Sequence, residues 1–416
     1  MEREVLVYVD RAEGPLFAGR LWTRARKGKE SASFEYDPAW LGHPERFALE
    51  PALALGPGAF HTPAGKSLFG ALGDSAPDRW GRVLMRRGER RRATKQGETP
   101  RTLTEIDYLL LVDDEARQGA LRFALEEGGP FLAAPEDHPI PPLISLPGLL
   151  SAAERVGTDE ESDEDLRLLL APGSSLGGAR PKASVRDRDG RLAIAKFPHK
   201  EDEYSTVLWE AVALSLAEKA GIATPEWRLE DTAGKPVLLL QRFDRSQGNR
   251  IPFLSALSML GAEDRETRSY LEFVDALRQH GAALTQDAQE LWRRIVFSIL
   301  ISNTDDHLRN HGFLYAGPDG WRLAPAYDLN PVPVDIKPRV LTTAIDYDDG
   351  TASLDLALSL AEHFLLSDGE AQTIAREVGQ AVSGWGETAS SLGASKTEIE
   401  RMASAFEHDD LRAARS

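Results

Sequence analysis

The stretch WRRIVFSILISNTDDHLRNHGFLY, Trp292 to Tyr315, constrains this chain more than any other. Its first half is an apolar helical run, and polar groups crowd together where that helix should end. Asp305 and Asn310 stand five residues apart, the spacing at which a kinase catalytic loop sets its base and a magnesium ligand. Asp306, next to Asp305, breaks that spacing by one. Phosphoryl transfer also needs a second carboxylate to hold magnesium against the phosphates, and Asp328 in LAPAYDLNP supplies it. The intervening GFLYAGPDGWRLAP reads as a β-hairpin that returns Asp328 beside Asn310. Taken singly, each group has a plainer reading, because Asp and Asn at helix ends cap or turn the chain. His307 and His311 are four residues apart, as in a zinc-binding helix, but no Glu follows the first His as in a metalloprotease.

A phosphate site needs backbone amides that can approach oxygen closely. GSSLGGARPKAS, Gly173 to Ser184, offers small residues followed by Arg180 and Lys182. It is not a Walker A loop, since Gly178 is followed by Ala179 and Arg180, and an ordinary flexible loop fits it equally well. Downstream, Lys196 in LAIAKF matches the strand lysine of kinases, with Glu210 in the next helix as its expected partner. A solvated strand end is the plainer reading of a lone lysine.

The remaining sequence sets the frame. With 416 residues there is room for two or three domains. Alternating segments at Glu4–Asp10, Leu16–Thr23 and Ser31–Asp37 predict a small antiparallel sheet, and Ser67–Arg92 and Thr104–Leu111 predict helices. The Pro-, Gly- and acid-rich Glu126–Pro142 reads as a crossing, followed by a hairpin over Lys182–Phe197, a helix over Glu203–Ala220 and a buried strand over Pro236–Phe243. The expected division is 1–125, 140–255 and 256–416. The net charge of −17 disfavours direct nucleic-acid binding. One basic run, Arg82 to Lys95, could meet an acidic partner or phosphates, and otherwise forms a solvated helix face. The acidic run Asp159–Asp165 reads as the start of a helix. The absence of cysteine, of a long apolar stretch and of a signal-like start leads to the expectation of a cytoplasmic protein that does not enter membranes.

The ordered set SSLGGARPKAS, LAIAKFP, LWEAVALSLAEKAGI, LLLQRFDR, NTDDHLRNHGFLY and LAPAYDL resembles the HipA family of toxin serine/threonine kinases. VYVD, FEYDPAWL and FGALGDSAPDRWGR are similar to that family's N-terminal domain. The resemblance implies an α+β chain with a two-lobed, protein-kinase-like fold: a small β-rich N-terminal module and an all-helical C-terminal lobe, using ATP and Mg²⁺. Asp305 would be the catalytic base, Asn310 and Asp328 the magnesium ligands, and Lys196 a contact to the nucleotide phosphates. Ser175, Gly177, Gly178, Ala179 and Lys182 would lie in the nucleotide loop, with Gln241, Arg242 and Phe243 at the adenine and His307 also on the nucleotide side. Ser175, with Ser174 beside it, falls where family members phosphorylate themselves. A phosphate there adds roughly −1.5 to −2 charge to a phosphate cradle and so would expel ATP. The implied partners are a protein substrate, in known cases an aminoacyl-tRNA synthetase, and a small helix-turn-helix antitoxin of HipB type, with DNA reached only through the antitoxin. Asp306 and Arg309 depart mildly from the family pattern. Two other classes fit the same residues, a small-molecule kinase and a non-catalytic scaffold or co-repressor.

Overall fold

A computed structural model describes residues 2–26, 28–133, 140–173 and 178–416. It is 39% helical and 19% strand, as the α+β expectation requires. The chain forms two compact units, Met1–Glu201 with Glu230–Leu254, and Asp202–Leu229 with Ser255–Ser416.

The first unit opens with an antiparallel sheet in the order Ala59–His61, Lys29–Tyr36, Leu16–Arg26, Glu2–Val9, Leu121–Ala124. The expected strands are present because alternation buries one face: Val5, Val7, Val9, Leu21 and Phe34 are all closed to solvent. Gly19 is required by contact, since a Cβ there would lie 2.2 Å from the Glu35 carbonyl oxygen. The single helix expected over Ser67–Arg92 is instead two, Gly70–Asp74 and Arg79–Gln96. Pro77 lacks the N–H a continuous helix would use, and Asp78 restarts the second helix by accepting from Gly81 N at 2.9 Å. Thr104 begins Glu105–Leu111 with a capping box to Asp107.

A second sheet in this unit runs Lys182–Arg186, Leu192–Lys196, Lys235–Gln241. The expected turn closes at Asp187–Gly190, where Gly190 has φ +84°. One face carries Ala183, Val185, Ala193, Ala195, Val237 and Leu239 onto Leu149, Leu150, Val156 and Leu169 of the helices Leu146–Gly157 and Asp163–Gly173. Trp80 and Leu84 of Arg79–Gln96 join the same core. The helix Arg79–Gln96, expected in the first module, thus shares the core of the second sheet, and both sheets fall in one unit.

The basic run is not a free solvated face. Arg82 grips Glu105 with both arms at 2.5 and 2.6 Å, Arg87 meets Asp159 and Glu161 at 2.5 Å, and Asp163 takes Arg91 at 3.1 Å and Lys95 at 2.5 Å. Its acidic partner is the run Asp159–Asp165 of the same chain. Two features that read separately in the sequence thus neutralise each other.

The second unit is helical around Leu284–Leu300, whose Leu291, Trp292, Ile295, Val296, Phe297, Ile299 and Leu300 are fully buried. The helix Thr206–Lys219 starts at Ser205 and stops before Gly221 at φ +75°, within the span expected for it. Trp209 packs against Trp385 and Phe406, which stack with centroids 4.7 Å apart. Ser367 and Ser395 open two later helices with capping boxes to Glu370 and Glu398. Between the helices sits the expected hairpin, Gly312–Tyr315 with Trp321–Leu323. Among the described residues no helix is long and apolar enough to cross a membrane.

Candidate functional site

The helix Leu284–Leu300 ends in a loop held by hydrogen bonds to its own unit. Asn303 takes its backbone N–H back to Ser298 O at 2.9 Å, and a short 3₁₀ turn forms over Leu308–Asn310. Asn310 donates from Nδ2 to the backbone oxygen of Asp305 at 3.0 Å. That bond orients the amide and leaves its Oδ1 as the face available to a cation.

The two aspartates separate completely. The Asp305 side chain is 65% exposed, whereas that of Asp306 is 3% exposed. Oδ1 of Asp306 lies 2.6 Å from His311 Nε2, within ion-pair distance but out of line for a directed hydrogen bond. His311 in turn stands edge-on to Tyr270 and Phe273. His311 is therefore a core residue, which removes the zinc reading of the His307–His311 pair. Among the described residues no group of three or more His, Asp or Glu side chains gathers as a metal cage. His307 is half-buried at the start of the 3₁₀ turn, with its Nδ1 closed to solvent and without a hydrogen-bond partner among the described residues.

The hairpin returns the segment around Asp328 to the loop. Ala324 N bonds Gly312 O at 2.8 Å, Tyr327 Oη donates to Arg309 O at 2.9 Å, and Asn330 N donates to Asn303 Oδ1 at 3.2 Å. These bonds lace the Asp328 segment to the Asp305–Asn310 loop. Asp328 itself has φ +59°. A non-glycine residue in the left-handed region is costly, and such strain is concentrated where side-chain direction matters. Asn330 Nδ2 holds the Asp328 carbonyl at 3.0 Å. The pair Asn310 and Asp328 thus offers hard oxygen donors of the kind Mg²⁺ takes.

The residues expected on the nucleotide side, His307 apart, belong to the first unit. Lys182 and Lys196 are direct cross-strand partners on the face opposite the apolar core. Two ammonium groups so paired repel unless an anion lies near. Lys182 is 4% exposed and its Nζ sits 3.4 Å from Asp78 Oδ2. Burial pushes the Asp78 carboxyl up to about 6 against the pull of that lysine. Trp80 Nε1 donates to Lys182 O at 3.0 Å. Gly178, at φ +95°, is exposed, and a Cβ there would come within 2.7 Å of Lys182 Nζ. Ala179 is exposed beside it. Ser174, Ser175 and Gly177 lie outside the described residues. Glu210, expected as the partner of Lys196, is buried in a helix of the second unit.

At the expected hinge the side chains are already engaged. Gln241 Nε2 bonds Asp187 Oδ2 at 2.5 Å. Arg242, expected at the adenine, instead buries its guanidinium against Asp244 and the carbonyl of Ala116. Arg245 and Gly119 N complete that cluster. Burial alone would raise the Asp244 carboxyl, yet the two arginines hold it well below the ordinary carboxylate range. Phe243 packs against Phe253 with centroids 6.3 Å apart. Sequence reasoning missed Asn303, Asn330 and Tyr327, which carry no local motif and act by tying one loop to the next. It also missed Lys337, whose Nζ lies 3.9 Å from Asp305 Oδ1.

The model of the HipA-like C-terminal domain matches residues 174–385, half of the chain. The chain belongs to the HipA-like family. A candidate kinase of Sinorhizobium fredii, Y4mE, is 25% identical over 393 residues, 86% of this HipA-like chain and 83% of that protein. A candidate kinase of Haemophilus influenzae is 24% identical over 202 residues, 42% of this chain. The chain spans 56% of the length of that relative. In fold, the chain is similar to Shewanella oneidensis HipA, solved with HipB and operator DNA, with a TM-score of 0.68 and 16% identity over 99% of this chain and 96% of the other. The likeness extends beyond the matched domain to the N-terminal module.

Proposed function

We propose that this chain is an ATP- and Mg²⁺-dependent serine/threonine protein kinase, the toxin of a toxin–antitoxin pair. The observation that carries the reading is the division of labour at Asp305 and Asp306. The residue at the correct spacing from Asn310 is the exposed one, and its neighbour is spent on the core. ATP supplies the phosphoryl group, and Mg²⁺ neutralises charge on the phosphates when bound. Asp305 orients a Ser or Thr hydroxyl in line with the γ-phosphorus and takes its proton. Asn310 Oδ1 and the Asp328 carboxylate would hold the ion. Lys196 grips phosphate oxygens, and the charge of Lys182 supports the glycine-rich loop. The backbone of Gln241–Phe243 meets the adenine, because the Gln241 and Arg242 side chains are spent on Asp187 and Asp244. His307 completes the nucleotide side. Ser175 is the self-phosphorylated residue, with Ser174 as its neighbour in the mapping.

The relatives' names as candidate kinases support a phosphotransferase, and the Shewanella HipA structure, solved with HipB, supports a HipB-type antitoxin partner. A protein substrate such as an aminoacyl-tRNA synthetase, with DNA reached through the antitoxin, completes the proposal, as does a cytoplasmic site of action. The test is incubation with labelled ATP and Mg²⁺, comparing wild type with Asp305→Ala and Asp328→Ala, then mapping the phosphosite. Self-labelling at Ser174 or Ser175 by wild type alone supports the reading. Transfer only to sugars or aminoglycosides would move the acceptor class, and a protein that neither binds ATP nor labels anything would be a scaffold.

A further inference from the structure

The segment PVPVDIKP, Pro331 to Pro338, follows Asp328 and is stiffened by three prolines. Pro333 O accepts from Ile336 N at 3.0 Å and Lys337 N at 3.2 Å, a turn that fixes where Lys337 starts. The Lys337 side chain does not run out into solvent. Its Nζ donates to Thr304 O at 2.7 Å and to Thr342 Oγ1 at 3.4 Å, and Thr342 Oγ1 donates to the same Thr304 carbonyl at 2.9 Å. Holding a four-carbon ammonium arm in one place costs about 2 kcal/mol of rotamer freedom. An exposed ion pair returns about 0–1 kcal/mol at best.

The distance to Asp305 is the informative quantity. At 3.9 Å, Lys337 Nζ and Asp305 Oδ1 are too far apart for a hydrogen bond and too close for a full water layer. One oxygen atom at ordinary hydrogen-bond distances of about 2.7–2.8 Å from both completes a triangle with an angle of about 90° at that oxygen. Such an oxygen must donate to a carboxylate and accept from an ammonium, so it carries one hydrogen and a free lone pair. An acceptor hydroxyl has that inventory, as does the water it would displace; an unprotonated phosphoryl oxygen does not.

We propose that Lys337 and Asp305 together hold the acceptor hydroxyl of the phosphoryl transfer. This rests on the kinase reading and adds the residue that positions the nucleophile. The hydroxyl donates its hydrogen to Asp305 and accepts from Lys337, which leaves its second lone pair for phosphorus. As the new O–P bond forms and the β,γ-bridging P–O bond breaks, the proton passes to Asp305 and the bond pair leaves on ADP. The ammonium next to the new phosphoester also offsets charge arriving on its oxygens.

The test uses the full chain, labelled ATP with Mg²⁺, single-turnover self-labelling and a separate titration with a fluorescent ATP analogue. Lys337→Met should lower the labelling rate at saturating ATP by about 100-fold. Its affinity for the analogue should stay within about twofold of wild type, because the lysine serves the acceptor rather than the nucleotide. Lys337→Arg should recover part of the rate. Should Lys337→Met fail to fold, Thr342→Val carries the test, since it removes one anchor of Nζ and should slow labelling without weakening the analogue. Wild-type rates in these variants, or a parallel loss of analogue affinity, overturn the assignment while the kinase reading stands. A wild type that neither binds the analogue nor labels itself overturns both.

Discussion

Replacing each of the two adjacent aspartates by asparagine should produce opposite phenotypes. Asp305→Asn keeps the shape and removes the charge of a side chain that is 65% exposed, with Lys337 3.9 Å away. An exposed pair of that kind contributes under about 1 kcal/mol. The melting temperature should therefore move by less than about 3 °C. Loss of an orienting base slows transfer by about 10²–10⁴. At 1.36 kcal/mol per decade this is about 3–5 kcal/mol of barrier. Asp306→Asn acts in the core instead. It removes a carboxylate 2.6 Å from His311 Nε2, in a pocket closed by Tyr270 and Phe273. Leaving buried polar atoms mismatched costs about 1–3 kcal/mol. That lowers the melting temperature by roughly 3–9 °C while transfer per folded molecule stays within about tenfold of wild type. The assay is differential scanning fluorimetry beside self-labelling with ATP and Mg²⁺ at a temperature where both variants are folded. An inactive, stable Asp306→Asn with an active Asp305→Asn would refute the assignment of the base.

Three further outcomes follow from other parts of the molecule. Asp328→Asn tolerates the left-handed backbone but gives up a charged ligand, so self-labelling should demand much higher Mg²⁺ with the melting temperature unchanged; an unaltered Mg²⁺ titration would remove Asp328 from the ion site. Asp244→Ala strands Arg242 and Arg245 in the interior and should cost about 3–5 kcal/mol in urea unfolding, and a loss below 1 kcal/mol would mean that water reaches the cluster. Burial of Glu50, which accepts from Ala71 N, raises its carboxyl from 4.5 to about 7. The folded state then binds the proton more tightly than the unfolded one, so this contribution is whole below pH 4.5 and declines as pH rises through 7, by about 3 kcal/mol. Glu50→Gln should flatten that decline between pH 5 and 8 in urea melts, and an unchanged slope would assign the pH dependence elsewhere.

Much of this protein is written locally. Period-two alternation placed the strands Glu2–Val9, Leu16–Arg26 and Lys29–Tyr36 within a residue or three. Turn chemistry at Asp187–Gly190 set the hairpin that carries Lys182 and Lys196, and Gly221 ended its helix where glycine can turn left-handed. The grouping of Asp305, Asn310 and Asp328 could be proposed from sequence because the loop after Leu284–Leu300 and the hairpin that follows it are close along the chain. What the chain could not reveal alone was which polar groups are already spent. Asp305 and Asp306 look alike in sequence; burial and His311 separate them. The basic run Arg82–Lys95 looked like a solvated face until the acidic run more than 60 residues later closed on it. Arg242 looked available until Asp244 and the Ala116 carbonyl were seen to hold it. Lys337 lies in a proline-rich loop with no motif at all. Hydrogen bonds and ion pairs act over a few ångströms in space, without regard to distance along the chain. A residue's local spacing therefore determines what it can do, and only the packed fold determines what it is free to do.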